Sequence, residues 1–207
     1  MPLLKEWKVG DTGLAAIWKA DEPEAFFVEQ TGITSTIKSD IRRIEHLAGR
    51  FLLKHLQHDF PLAHIYKDEH DKPRLKEKQW HFSISHSWPY IAAVIDPVHE
   101  SGIDIQVWHP RISAIKHKFL SPGEQELLRH DDHNFILAWS AKESVYKWNG
   151  RRGIEFIEEL PIISWDVDKN IKVFLNSHSN WGIACVNSFI TKDFACTSVN
   201  KFIPLAH

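Results

Sequence analysis

Two short stretches hold residues able to do chemistry together. In the first, Gly102-Ile103-Asp104-Ile105-Gln106-Val107-Trp108, apolar and polar residues alternate. A strand there turns Ile103, Ile105 and Val107 to one side and Asp104 and Gln106 to the other. The second is Trp139-Ser140-Ala141-Lys142-Glu143-Ser144-Val145-Tyr146-Lys147-Trp148. Helical spacing puts its Trp139, Glu143 and Lys147 on one face, and Asn149-Gly150 follows as a stop signal. Alone, Glu143 and Lys147 would make an exposed ion pair worth about 0.3–0.5 kcal/mol. Beside the strand the pair reads differently. Asp104 and Glu143 meeting across two elements repel unless a cation lies between them. Mg²⁺, a hard ion that takes oxygen ligands, keeps waters and accepts phosphates, suits such a pair, and Lys147 would complete a phosphate clamp. The chemistry expected is that of a Mg²⁺–diphosphate site.

The elements that must position these residues are legible in part. Ile37, Ile41, Ile44, Ala48, Phe51, Leu52 and Leu56 recur at helical spacing and predict an amphipathic helix from about Asp40 to about His58. Its other face carries Arg42, Arg43, Arg50 and Lys54, either a solvated face or an anion site. A strand is expected near Leu14–Trp18. Trp80 to Ser87 alternates as a strand, Trp88-Pro89 turns the chain, and Tyr90–Ile95 is a continuous apolar run suited to a buried strand. Ser121-Pro122-Gly123-Glu124 is a capping box with Pro at the first helical position, opening a helix to about His130. Asp131-Asp132 can cap the next helix, from about His133 to Trp148. Strand-like pieces follow at Ile162–Val167, Ile171–Leu175, Trp181–Val186 and Phe194–Val199. Strands, helices and strands in each half argue for an α+β fold, with a junction at Asp96–Ser101.

Bulk composition sets outer bounds. The 207 residues suit one large domain or two small ones. Apolar residues make up 43% and charged ones 25%, ordinary values for a globular protein. Formal net charge is −2, so no global basicity argues for a nucleic-acid partner, and any anion must find a local basic pocket. Cys185 and Cys196 lack metal-type spacing and are expected to be free thiols in a reducing compartment. The first ten residues show no signal-peptide pattern, and no apolar run approaches the ~20 residues of a membrane helix. A cytoplasmic protein without membrane association is expected.

Three motifs in order resemble the Sfp-type 4′-phosphopantetheinyl transferase superfamily: Phe82-Ser83-Ile84-Ser85-His86-Ser87, Gly102-Ile103-Asp104-Ile105, and Trp139-Ser140-Ala141-Lys142-Glu143-Ser144 followed by Lys147. The family patterns are F-N-I-S-H-S, G-I-D-I-E and W-x-x-K-E-S-x-x-K, and the resemblance covers roughly residues 37–156. It implies transfer of phosphopantetheine from coenzyme A to a serine of an apo acyl or peptidyl carrier protein, releasing 3′,5′-ADP. It implies two similar α+β halves related by a pseudo-twofold, with the active site at their interface. Residues 1–98 would contact the coenzyme A nucleotide, and residues 99–207 would carry the metal and catalytic groups. By resemblance Asp104 and Glu143, with Gln106, are metal ligands, and Glu143 and Lys147 are catalytic. Lys147 also contacts the diphosphate. Ser85 and His86 touch the nucleotide end, Lys72-Pro73 frames the adenine, and Arg50 meets the 3′-phosphate, with Arg43 and Lys38 as lesser candidates.

Three positions depart from the family pattern. Gln106 stands where many members have Glu, Asp71 replaces a Gly, and Arg151-Arg152-Gly153 replaces a G-K-G. Gln106 also supports an alternative, a non-catalytic relative that binds coenzyme A or a carrier protein. A Mg²⁺-dependent phosphohydrolase using Asp104 and Glu143 is a second alternative, and a zinc site at His130-Asp131-Asp132-His133 is a third. A monomer is expected, since two halves in one chain would already supply a complete cleft.

Overall fold

The computed structural model describes residues 2–77, 79–166, 168, 170–177 and 180–206. The chain divides into two compact units, Met1–Ser101 and Gly102–His207. Each contains an antiparallel sheet and one long helix, so the fold is α+β, as the order of elements predicts.

In the first unit β1 (Leu3–Val9), β2 (Gly13–Lys19), β6 (Tyr90–Asp96) and β5 (His81–Ser87) lie in that order in one sheet. Both β2 and the apolar run that becomes β6 match the sequence expectation. Every residue of β6 is buried, because it is a central strand with neighbours on both edges. Helix α1 (Glu24–Thr31) precedes α2 (Asp40–Leu56). Ser39 caps α2 by accepting from the Arg42 amide, and its apolar stripe buries Leu47, Ala48, Leu52 and Leu53 against the sheet. The short strands β3 (Ile65–Lys67) and β4 (Pro73–Leu75) pair as a ribbon. Strand β1 and helix α1 were not apparent from the sequence. In α1 the apolar residues Phe26, Phe27 and Val28 are consecutive and show no helical period.

In the second unit the sheet runs β7 (Ile103–Val107), β11 (Phe194–Pro204), β10 (Asn180–Ile190), β9 (Ile171–Ser177) and β8 (Ile162–Ser164). The last strand is shorter than the expected Ile162–Val167, and Val167 lies outside the described residues. Helices α3 (Pro110–Ala114), α4 (Pro122–Leu127) and α5 (Asp132–Asn149) complete the unit. The capping box of α4 forms as its sequence predicts, but the helix stops at Leu127 rather than His130. Arg129 and His130 turn left-handed there, with φ of 55° and 50°, which no helix accommodates. Asp131 then caps α5 by accepting from the Asn134 amide, and Gly150 ends it at φ 74°. The buried side of α5, including Phe135, Leu137, Ala138, Ala141 and Val145, packs into a core with Val173, Leu175, Ala184 and Val186 of the sheet.

Candidate functional site

The strand–helix pair predicted to carry the chemistry is held by three local devices. Glycine at 102 lets the two backbones touch. A Cβ there would lie 2.1 Å from the Ser144 carbonyl oxygen and 2.7 Å from both the Trp148 nitrogen and its Cβ. No larger residue fits without separating α5 from the start of β7. One strand over, Thr197 of β11 lies opposite Asp104 in the sheet register. Its hydroxyl donates to the Ser140 carbonyl oxygen at 2.8 Å and lies 3.0 Å from the Ser140 hydroxyl. The helix is thereby stapled to the sheet beside Asp104. Trp139 packs on Phe119 and Phe156, with ring centroids 5.0 and 5.4 Å away, and Trp148 stacks on Phe202 at 4.5 Å.

Asp104, Glu143 and Lys147 converge as a result. Lys147 Nζ donates to Asp104 Oδ1 at 2.6 Å, and Asp104 is buried. Burial, and then the nearby Asp104 charge, push the Glu143 carboxyl up to about 7, with Lys147 only partly offsetting them. The Asp104 charge thus acts on the Glu143 carboxyl. Gln106 follows Asp104 on β7, and its Nε2 donates to the Val107 carbonyl oxygen at 3.2 Å. The His130–His133 residues diverge. His130 pairs with Glu126 at 3.0 Å, Asp131 caps α5, Asp132 accepts from Ser113, and His133 packs edge-on against Trp108. Among the described residues no three His, Cys, Asp or Glu side chains gather into a metal cluster.

The remaining candidate residues lie in the first unit, along α2, β5 and the β3–β4 ribbon. Arg50 sits on α2 with Nη1 donating to the His46 carbonyl oxygen at 3.1 Å. Burial lowers its basicity, and among the described residues no carboxylate forms an ion pair with it. Its neighbour His46 is pushed down to about 4 by burial and by the charges of Arg50 and Lys67. Arg43, by contrast, is locked to Glu24 and Asp40, each at 2.8 Å, and to the Ile37 carbonyl oxygen. His86 is half-exposed and lies 3.2 Å from the buried Glu45, while Ser85 is buried on β5. Lys72 and Pro73 line a cavity of about 690 Å³ together with Lys67, Arg74, His81 and Glu100. Lys72 Nζ donates to Glu100 at 2.7 Å, and Arg74 bridges Glu100 and Asp68, also at 2.7 Å. Burial would raise the Glu100 carboxyl, but Lys72 and Arg74 override it and hold it at about 2.

With this geometry in view, residues 100–199 match the family model of the 4′-phosphopantetheinyl transferase superfamily. This stretch of the chain is similar to that superfamily. The chain is similar to "4′-phosphopantetheinyl transferase AcpT" of Escherichia coli strain K12, 34% identical over 118 residues, which is 53% of this chain and 59% of the relative. The same figures hold over 117 residues for the AcpT of Escherichia coli O157:H7. The chain thus spans 59% of the length of these curated relatives.

One departure from the superfamily pattern is explained by the structure. Asp71 adopts φ 60°, the left-handed conformation a Gly would take, and Asp is among the few other residues that tolerate it. The loop is closed by Asp68 Oδ1, which accepts from the His70 and Lys72 amides, each at 2.9 Å. Two clusters escaped the sequence reading. Glu100 with Arg74 gave no signal, because the partners are 26 residues apart in no recognisable motif. Lys142 was in plain view inside W-x-x-K-E-S, yet only the structure shows it fully buried against Glu124 at 2.6 Å.

Proposed function

We infer that the protein transfers the 4′-phosphopantetheine group from coenzyme A to a serine of an apo acyl or peptidyl carrier protein, releasing 3′,5′-ADP. The observation that carries this reading is the meeting of Asp104, Glu143 and Lys147 at the junction of β7 and α5. A carboxyl whose proton affinity is raised by burial and by a neighbouring carboxylate, beside one lysine, forms a poor resting arrangement and a good cation and phosphate site. The donor set fits Mg²⁺: hard oxygens from Asp104 and Glu143, Gln106 as a neutral oxygen donor, and room in the coordination for phosphate and water. When bound, the metal supplies charge neutralisation on the diphosphate.

This chain's residues have separable tasks in the transfer. Lys147, held at Asp104, is placed to turn its ammonium to the diphosphate and stabilise charge gathering on the phosphoryl oxygens. The serine oxygen forms a bond to the β-phosphorus of coenzyme A as the bond to the departing 3′,5′-ADP oxygen breaks. The serine proton would pass to Glu143, directly or through water, as the carboxylate of this site able to act as general base. In the first unit, Arg50 is a half-buried cation suited to the 3′-phosphate. Lys72 and Pro73 would border the adenine, and Ser85 and His86 would contact the nucleotide end. The tie of Lys72 to Glu100 leaves it a fixed wall of the cavity rather than a mobile phosphate hook.

The reading has the protein acting as a cytoplasmic monomer on a protein substrate, without nucleic acid or membrane. Among the described residues no helix is long and apolar enough to cross a membrane. Intact-mass analysis of an apo carrier protein after incubation with the protein, coenzyme A and Mg²⁺ tests the function. A gain of one phosphopantetheine is expected. An unchanged carrier mass, or release of inorganic phosphate without a carrier, would overturn it.

A further inference from the structure

We propose that the buried Lys142–Glu124 ion pair is a positioning device, fixing the rotation of α5 about its axis so that Glu143 and Lys147 face Asp104. Lys142 is 0% exposed and Glu124 5%. The Lys142 ammonium donates to Glu124 Oε1 at 2.6 Å, to the Phe119 carbonyl oxygen at 2.7 Å and to the Phe156 carbonyl oxygen at 2.9 Å, so all three of its protons are directed. Glu124 in turn accepts from the Ser121 amide at 2.7 Å and from the Ile162 amide at 2.8 Å. One side chain of α5 thereby gathers the segment before α4, the start of α4, the loop after α5 and the start of β8.

Such a pair is a weak source of stability. Removing both charges from water costs about as much as their attraction returns, and an apolar pair of similar volume often packs as well. What the ion pair supplies is direction. Neighbouring residues on a helix point about 100° apart, so anchoring Lys142 by three bonds also fixes where Glu143 points. Two of the other contacts of α5 fix different coordinates of the helix. Gly102 sets how close the helix comes to β7, and the Ser140–Thr197 bonds set its height along β11. Lys142 reaches instead from the opposite side of the helix to loop backbone.

The inference rests on the transferase reading for its activity measurement, and a second measurement separates the two. The variants are K142M, E124Q/K142M and K142R. For each, melting temperature, kcat and KM for coenzyme A with an apo carrier protein, and Mn²⁺ binding by electron paramagnetic resonance are recorded. The Mn²⁺ measurement uses coenzyme A without carrier. A displacement of about 1 Å at reacting groups costs on the order of 100-fold in rate. The expectation is a loss of that order in kcat for K142M, with KM for coenzyme A little changed and Mn²⁺ bound more weakly. E124Q/K142M, free of the unpaired charge, should regain the melting temperature while keeping the losses in kcat and Mn²⁺ affinity. K142R should restore most of both. If E124Q/K142M regains turnover and Mn²⁺ affinity along with its melting temperature, the pair only holds the fold together and the proposal is overturned. If the unaltered protein transfers nothing, the transferase reading fails, and the Mn²⁺ comparison alone decides the positioning claim.

Discussion

Replacing Glu143 by Gln should stabilise the metal-free protein, and the gain should depend on pH in one direction. The carboxyl rises from an ordinary 4.5 to about 7 on folding, through burial first and then the Asp104 charge. A raised acid pKa means the folded state prefers the protonated group. Below pH 4.5 the carboxyl is protonated in both states and costs nothing. Between 4.5 and 7 the unfolded chain releases its proton first, so stability falls as pH rises. Above 7 the full cost is present, about 3 kcal/mol at about 1.4 kcal/mol per tenfold change in acidity constant. The amide of the Glu143→Gln variant is neutral throughout and escapes it. Denaturant unfolding with a chelator present, followed by circular dichroism from about pH 4.5 to about pH 8, measures the difference between the two proteins across this window. It should be near zero at the acid end, grow through the interval and level off above 7. Added Mg²⁺ should then narrow it, because the unaltered protein would offer the ion two carboxylates and the Glu143→Gln variant only that of Asp104. A difference independent of pH, or one that shrinks as pH rises, would refute the placement of Glu143 beside Asp104.

Other expectations follow from individual contacts. Asp104→Ala should cut transfer by about 10²–10³-fold and make what remains indifferent to chelator, measured as holo-carrier formed with and without Mg²⁺. Gly102→Ala should destabilise the fold by about 1–3 kcal/mol or more, since its Cβ would meet the Ser144 carbonyl oxygen and push α5 from β7; denaturation midpoints and transfer rates check it. Arg50→Ala should raise KM for coenzyme A by about 10- to 100-fold, the worth of a charged hydrogen bond, while leaving KM for 3′-dephospho-coenzyme A unchanged.

What the sequence disclosed depended on whether a signal was local. The capping box at Ser121–Glu124, the Asp131 cap and the Gly150 stop are each written in a few adjacent residues, and all three appear in the structure. The alternation through Asp104 and the helical spacing of Glu143 and Lys147 implied faces, and those faces meet. Strand β1 and helix α1 were missed because α1 has no periodic apolar stripe, its burial coming from packing on α2 rather than from a local pattern. Trp139, grouped by spacing with Glu143 and Lys147, packs instead on Phe119 and Phe156, the residues whose carbonyl oxygens accept from Lys142. The Glu100 and Glu124 clusters unite residues from distant segments, and a single sequence does not announce such pairings.

The central claim is that one divalent ion is shared by Asp104 and Glu143 while it grips a diphosphate. Crystals grown with Mn²⁺ and coenzyme A, measured at the manganese absorption edge, test it directly. A single anomalous peak bound by carboxylate oxygens of both residues, at about 2.0–2.2 Å as expected for an ion of this kind, and by the coenzyme A diphosphate is predicted. A peak bound by neither carboxylate, with coenzyme A in place, would contradict the claim.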